Sequence, residues 1–347
     1  MKPDASWGWS RSLHAWRGGQ RPASQVGRVH DTEHQNDQKE REIVTAIEED
    51  IWSTPGVLRQ TIVRVGMKGR ELDDVLVGPL VLLGSGSSYC IGMSAATAYE
   101  SIRGKPAQAL LGSEYRPRPD WTHLAISRTG KTTEVVEAMH RAREAGARVG
   151  LIVGDSGSPA EEVAHSVLHL EFAPERGVIQ TRFITAAVTA LRLLIEGRSA
   201  AGDIDLLPDE VAHGLERLEP DSLSAFRHVV FIGRGPRHGL ALSAALTVAE
   251  TALLVAEGHQ TLDYRHGPIA VADERTLVWC FDPADDPAAA GVIEDIRQTG
   301  ARVVWPGFDP LVSLVQAQLL ALRIAQARDI DPDVPRNLQR AIVLPTG

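Results

Sequence analysis

The sequence predicts an α/β protein in which two parallel sheets, each covered by helices, succeed one another along the chain. Three observations lead there. Short apolar runs alternate with helical patterns, as they do in βαβ crossovers. An apolar run is followed by Gly-x-Gly twice, at Gly84 and at Gly233, 149 residues apart, which is a domain length and not a solenoid period. The chain has 347 residues, enough for two domains with substantial cores.

Residues 1–41 are polar and rich in Gly, Ser, Arg and Gln, with Trp7, Trp9 and Trp16 scattered among charges and no periodicity, so a disordered tail is expected. From residue 42, Ile43, Ile47, Ile51, Val57 and Ile62 predict two short helices broken at Pro55, which together form a packing arm. The run Leu80-Val81-Leu82-Leu83 then reads as a buried strand, leading through Gly-Ser-Gly-Ser-Ser into a helix over 89–103. Further strands are expected at 124–127, 149–153 and 168–172, separated by helices over 132–145 and 160–165.

Residues 196–227 carry Gly, Asp, Pro and Glu with only short apolar runs, so a boundary is expected there. The second series starts at Val229-Val230-Phe231-Ile232, turns through Gly233-Arg234-Gly235-Pro236, continues as a helix over 240–256, and has strands at 276–281 and 302–305. The expected division is a first domain with its arm over 42–200, a linker over 201–227 and a second domain over 228–347.

Asp and Glu exceed Lys and Arg by 45 to 36, a net charge of −9. No basic field is available for nucleic acid or an anionic membrane, so any anionic ligand must be held locally. No helix-turn-helix segment is apparent. Cys90 and Cys280 show neither CxxC nor Cys/His spacing, which argues against a disulfide framework or structural zinc and fits a reducing cytoplasm. A membrane span and a secretory signal are not expected either.

Gly84-Ser85-Gly86-Ser87-Ser88 combines glycines that open the backbone, hydroxyls that donate, and a helix whose positive end faces the turn. Such a turn suits a phosphate, although it also serves purely structural ends. Ser127-Arg128-Thr129-Gly130-Lys131-Thr132 repeats the arrangement after the next strand, and in a parallel sheet both could meet near a topological switch point. Residues 125–132 nearly match a nucleotide P-loop. Their first residues are strand residues, however, which leaves too little loop to wrap a triphosphate.

In the second half, Glu250 is the only charged residue between His238 and Glu257. Burial there would raise its pKa toward neutrality, as a general base requires; a Glu at the rim of an apolar stripe is the plainer alternative. His266, in Asp263-Tyr264-Arg265-His266-Gly267-Pro268, could exchange protons near neutral pH or be an ordinary surface histidine. No lysine follows Lys131, which excludes Schiff-base chemistry from the second half, since arginine stays protonated.

Taken in order, GSGSSY at 84–89, SRTGKTTE at 127–134, ERGVIQT at 175–181, the helix around Glu250, YRHGP at 264–268 and PRNL at 335–338 resemble the double sugar-isomerase (SIS) family over about residues 43–344. More narrowly, they resemble the isomerase part of glucosamine-6-phosphate synthase and amino-sugar-phosphate deaminase/isomerases. The resemblance implies two tandem SIS domains, each a five-stranded parallel sheet in a three-layer α/β/α arrangement, in a homodimer or higher homo-oligomer. It implies a sugar phosphate held by Ser87, Ser88, Ser127, Thr129 and Thr132, with Arg128 beside them where the synthases carry Gln, and with Gly86 and Gln180 at the substrate. It implies Glu250 as the base that moves a proton between C1 and C2, and His266 as an aid to ring opening, in the same or a neighbouring subunit's site. Such chemistry needs neither metal nor organic cofactor.

Two departures qualify the resemblance. The synthases begin with a glutaminase, and no glutaminase activity is expected here. They also place a Schiff-base lysine where Arg340 stands. A deaminase, an aldose-ketose isomerase, an ammonia-dependent isomerase or a fructosamine-phosphate deglycase avoids that imine, with Arg340 steadying developing negative charge. A catalytically silent sugar-phosphate sensor is the rival expectation.

Overall fold

The computed structural model describes residues 45–197, 204–218 and 225–345. The tail expected over 1–41 lies outside them. The arm consists of α1 (Ala46–Trp52) and α2 (Thr54–Lys68), which part at Ser53. Pro55 falls in the first turn of α2, where its missing N–H breaks no helical hydrogen bond, so the interruption lies just ahead of the proline.

The first sheet contains β1 (Leu80–Gly84), β2 (Ala107–Leu111), β3 (Thr122–Ser127), β4 (Val149–Val153) and β5 (Ser166–His169). Its order is β2-β1-β3-β4-β5, all parallel. The helices that serve it are α3 (Ser87–Arg103), α4 (Thr133–Glu144), α5 (Pro159–Val163) and α6 (Arg182–Glu196). Next comes α7 (Leu207–Glu216), inside the stretch expected as linker, with Leu207, Val211 and Leu215 buried.

The second sheet contains β6 (His228–Gly233), β7 (Val255–Gln260), β8 (Thr276–Cys280) and β9 (Arg302–Val304), with α8 (Pro236–Ala252), α9 (Pro287–Gln298) and α10 (Pro310–Gln326). Its order is β7-β6-β8-β9, again parallel. Among the described residues it has four strands where five were expected, because residues 305–309 run unpaired into α10. The α/β class with two parallel sheets is as the sequence predicts.

Strand alternation explains the layering. Leu80 and Leu82 enter one apolar cluster, while Val81 and Leu83 enter another on the opposite face. In the second sheet Val229 and Phe231 join the first of these clusters, while Val230 and Ile232 line a third. Both sheets are therefore buried on both faces, as parallel sheets require. They share one central layer, to which α3, α6, α8 and α10 contribute. Within it α3 and α8 approach so closely that a β-carbon at Gly239 would meet Cys90 O and stand 2.5 Å from Ser94 N.

Candidate active site

In the first sheet the strand order reverses at β1, so the carboxyl ends of β1 and β3 flank a crevice at the switch point. After β1 the chain turns through Gly86 at φ +56°, and α3 begins at once with Ser87. The turn is tight: a β-carbon at Gly84 would stand 2.7 Å from the Ser88 carbonyl carbon. After β3 the chain turns through Gly130 at φ +62°, and Thr132 stands at the N-cap of α4 without a capping bond from its side chain.

The two turns face one hollow that opens to solvent. Ser85 and Ser88 line it from the first turn, and Ser127, Arg128, Thr129 and Thr132 from the second. Gln180 and Arg340 close its remaining sides. Ser127 Oγ accepts the Gly130 N–H at 3.0 Å and Thr129 Oγ1 accepts that of Lys131 at 3.3 Å, so each hydroxyl keeps its proton for a donor bond. Hydroxyl donors and two helix N-termini at one point form an anion cradle.

Arg128 lines the hollow and also ties two distant segments together. Its Nη1 donates to Val178 O at 2.6 Å and its Nη2 to Arg340 O at 2.6 Å, so the guanidinium joins the 175–181 loop to the C-terminal segment. Arg340 in turn donates from Nη1 to Glu175 O at 2.7 Å and lies 3.4 Å from Asp155 Oδ1. Among the described residues Gln180 Oε1 is buried and finds no hydrogen-bond partner.

The 175–181 loop is also held from the arm. The Asp50 carboxylate on α1 accepts the N–H groups of Arg176 (2.8 Å) and Gly177 (3.1 Å) and pairs with Arg182 at 2.9 Å. Beside it, Glu175 Oε1 accepts from Thr181 N (2.8 Å) and Phe183 N (2.7 Å). Burial, and then the neighbouring Asp50 charge, push the Glu175 carboxyl well above the usual carboxylate range.

Glu250 lies half-buried near the end of α8. Burial raises its pKa and the Arg128 charge partly offsets that rise, which leaves it at about 7. The same carboxylate helps raise the Cys90 thiol on α3. The Glu250 charge is thus felt both at the hollow's wall and on the helix that starts at the first turn.

Of the residues singled out in the sequence, Ser88, Ser127, Arg128, Thr129, Thr132, Gln180 and Arg340 meet at this hollow. Gly86 shapes the turn from its edge, and Ser87 is buried behind it. Glu250 and His266 are not among the lining residues. His266 closes a short 3₁₀ turn, Asp263–His266, with its side chain exposed. Ser85 was missed as a lining residue, although its place between two glycines at the tip of the turn was a usable signal. Among the described residues no three His, Cys, Asp or Glu side chains gather as a metal site, and no helix is long and apolar enough to cross a membrane.

Known proteins share both the sequence pattern and the fold. Residues 78–197 match the SIS domain model. Over 327 residues the chain is 30% identical to the glutamine-fructose-6-phosphate aminotransferase (isomerizing) of Mycolicibacterium paratuberculosis, covering 79% of this chain and 52% of that protein. The chain thus spans about half the length of the curated relatives it matches. Its fold is similar to that of glucosamine-6-phosphate deaminase from Thermotoga maritima, with TM-score 0.76, 22% identity and coverage of 86% of this chain and 100% of that one. It is also similar to tagatose-6-phosphate ketose/aldose isomerase from Escherichia coli, with TM-score 0.73, 21% identity and coverage of 87% and 96%. The hydroxyl turns after β1 and β3 and the loop that carries Gln180 all fall within residues 78–197, the segment that matches the SIS domain model.

Proposed function

We propose that the chain acts on a hexosamine or hexose 6-phosphate and moves a proton between C1 and C2, with or without release of ammonia. One observation carries the reading: two hydroxyl-bearing turns meet at a single hollow whose wall residue, Arg128, lowers the pKa of a carboxylate otherwise raised by burial. The phosphoryl group would accept from Ser88, Ser127, Thr129 and Thr132 and from the first N–H groups of α3 and α4.

Glu250 then removes the C2 proton of the open-chain sugar and returns it to C1. With a hydroxyl at C2 the enediol becomes a ketose. With an amine at C2 the enolamine becomes a ketimine, and water converts that to the ketone and free ammonia. A base with pKa near 7 is matched to this task at neutral pH. Arg340 has no unprotonated amine to offer, so its part is to orient the loop at Glu175 and to stabilise negative charge at the hollow. The exposed His266 fits a role in a neighbouring copy's site within a homo-oligomer.

The test is a panel of glucosamine, galactosamine, glucose and tagatose 6-phosphates, assayed for ammonia release and for aldose-ketose interconversion. Turnover of at least one phosphorylated sugar, and none of its unphosphorylated form, is expected. Equal turnover of both forms, or none of any sugar, would overturn the proposal.

A further inference from the structure

The second half repeats the backbone turn of the first, yet carries different side chains. Gly86 and Gly235 share one conformation, with φ +56° and ψ −132° against φ +54° and ψ −130°. A β-carbon at Gly233 would stand 2.8 Å from the Arg237 carbonyl carbon, much as one at Gly84 would crowd that of Ser88. Arg234 and Arg237 therefore occupy the positions of Ser85 and Ser88.

Strand register extends the match. Leu83, just before the first turn, pairs with Ala125, and Ile232, just before the second, pairs with Cys280. Two residues beyond these partners stand Ser127 in the first half and Asp282 in the second. A hydroxyl that faces an open hollow thus has a carboxylate as its counterpart.

That carboxylate is fully buried and already bound. Its Oδ1 accepts the backbone N–H of Arg234 at 2.9 Å, and its Oδ2 accepts the Thr261 hydroxyl at 2.6 Å. Trp305 Nε1 fixes the Asp282 carbonyl at 2.7 Å. Burial raises the Asp282 pKa, while the hydrogen bonds from Thr261 and Arg234 and then the charges of Arg237 and Arg234 oppose that rise, and Arg234 pairs in addition with Asp286 at 3.0 Å. Backbone N–H, hydroxyl and guanidinium groups are what an anion cradle offers.

We infer that the second half keeps the anion cradle of the first and fills it with its own carboxylate, Asp282, so that each chain takes one phosphate, at the first half alone. The second half is then left to supply the helix that carries Glu250. An internal carboxylate held at this distance outcompetes a dilute external anion because its binding loses no translational freedom.

Inorganic phosphate is titrated calorimetrically into the full-length protein and three variants, each checked for folding by thermal melting. Wild type is expected to bind one phosphate per chain. Asp282→Ser is expected to bind one more than wild type, and Asp285→Ser, which removes an exposed neighbouring charge, is not. Ser127→Asp, which transplants the carboxylate into the first half, is expected to lose phosphate affinity at least tenfold. Two phosphates on wild type, or a folded Asp282→Ser that gains none, would overturn the inference. So would undiminished binding by Ser127→Asp, which serves as the test should Asp282→Ser fail to fold. Absence of binding by wild type would overturn the single phosphate assigned to the first half together with the reading of the first hollow under the proposed function, and one phosphate gained by Asp282→Ser in that case would support only the filling of the second cradle by Asp282.

Discussion

Arg128 donates to the carbonyl oxygen of Arg340 at 2.6 Å, joining residues 212 positions apart in the sequence. The bond fastens the C-terminal segment over the candidate site. Beyond it, Ile342 O accepts the Thr133 N–H at 3.2 Å and the Leu344 N–H reaches Thr133 Oγ1 at 2.9 Å, so the segment also lies on the start of α4.

Arg128→Gln removes two short charge-assisted bonds to partly buried backbone carbonyls. A loss of about 3 kcal/mol or more of stability is expected, since each such bond contributes roughly 1.5–3 kcal/mol. Hydrogen exchange should rise at residues 177–180 and 340–344 together. Unchanged exchange in both segments would show that the arginine does not hold them.

Glu175→Gln tests the buried carboxyl pair through pH. The folded Glu175 holds its proton at pH values where the unfolded chain has lost it, so native protein binds the extra proton and stability falls as pH rises above the ordinary carboxylate range. Denaturant titrations between pH 5 and 8 should show that decline in wild type and a flatter profile in the glutamine variant. The same slope in both would mean that other groups set it.

Gly239→Ala places a methyl group against Cys90 O and Ser94 N, where α3 and α8 cross. Forcing the helices apart is expected to cost about 1–3 kcal/mol, as overpacking does elsewhere, and to move Glu250 away from the hollow. Urea midpoints measure the first effect and turnover the second. A variant of unchanged stability would contradict the close crossing.

The sequence made the central strands legible because β1, β3, β4, β6 and β8 are buried on both faces and read as unbroken apolar runs. The edge strands β2 and β7 gave no such signal. β2 is only half-buried, and β7 includes Glu257, His259 and Gln260. The helix expected to reach residue 256 stops at Ala252 because Leu253 adopts φ +50°, a conformation that its side chain does not announce. The hydroxyl turns were legible from composition alone. The duties of Arg128 and Asp50 were not, because their partners lie far away in sequence and are mostly backbone groups that every residue carries.

Glu250→Gln should keep the fold and lose turnover by about 10²–10⁴-fold, the usual contribution of a positioned general base. Wild-type kcat/KM should rise with pH through about 7, as the carboxyl loses its proton and becomes able to accept one. An activity that falls with rising pH across that range would assign the residue the opposite role.

The most direct measurement is the exchange of carbon-bound hydrogen with solvent. Glucosamine 6-phosphate, or whichever 6-phosphate the panel shows to be turned over, is incubated in D₂O with wild type and with Glu250→Gln, and deuterium at C1 and C2 is followed by NMR. Deuterium entering with wild type and at least 10²-fold more slowly with the variant is the expected result. Equal incorporation by both proteins would contradict a phosphate-anchored proton transfer by Glu250.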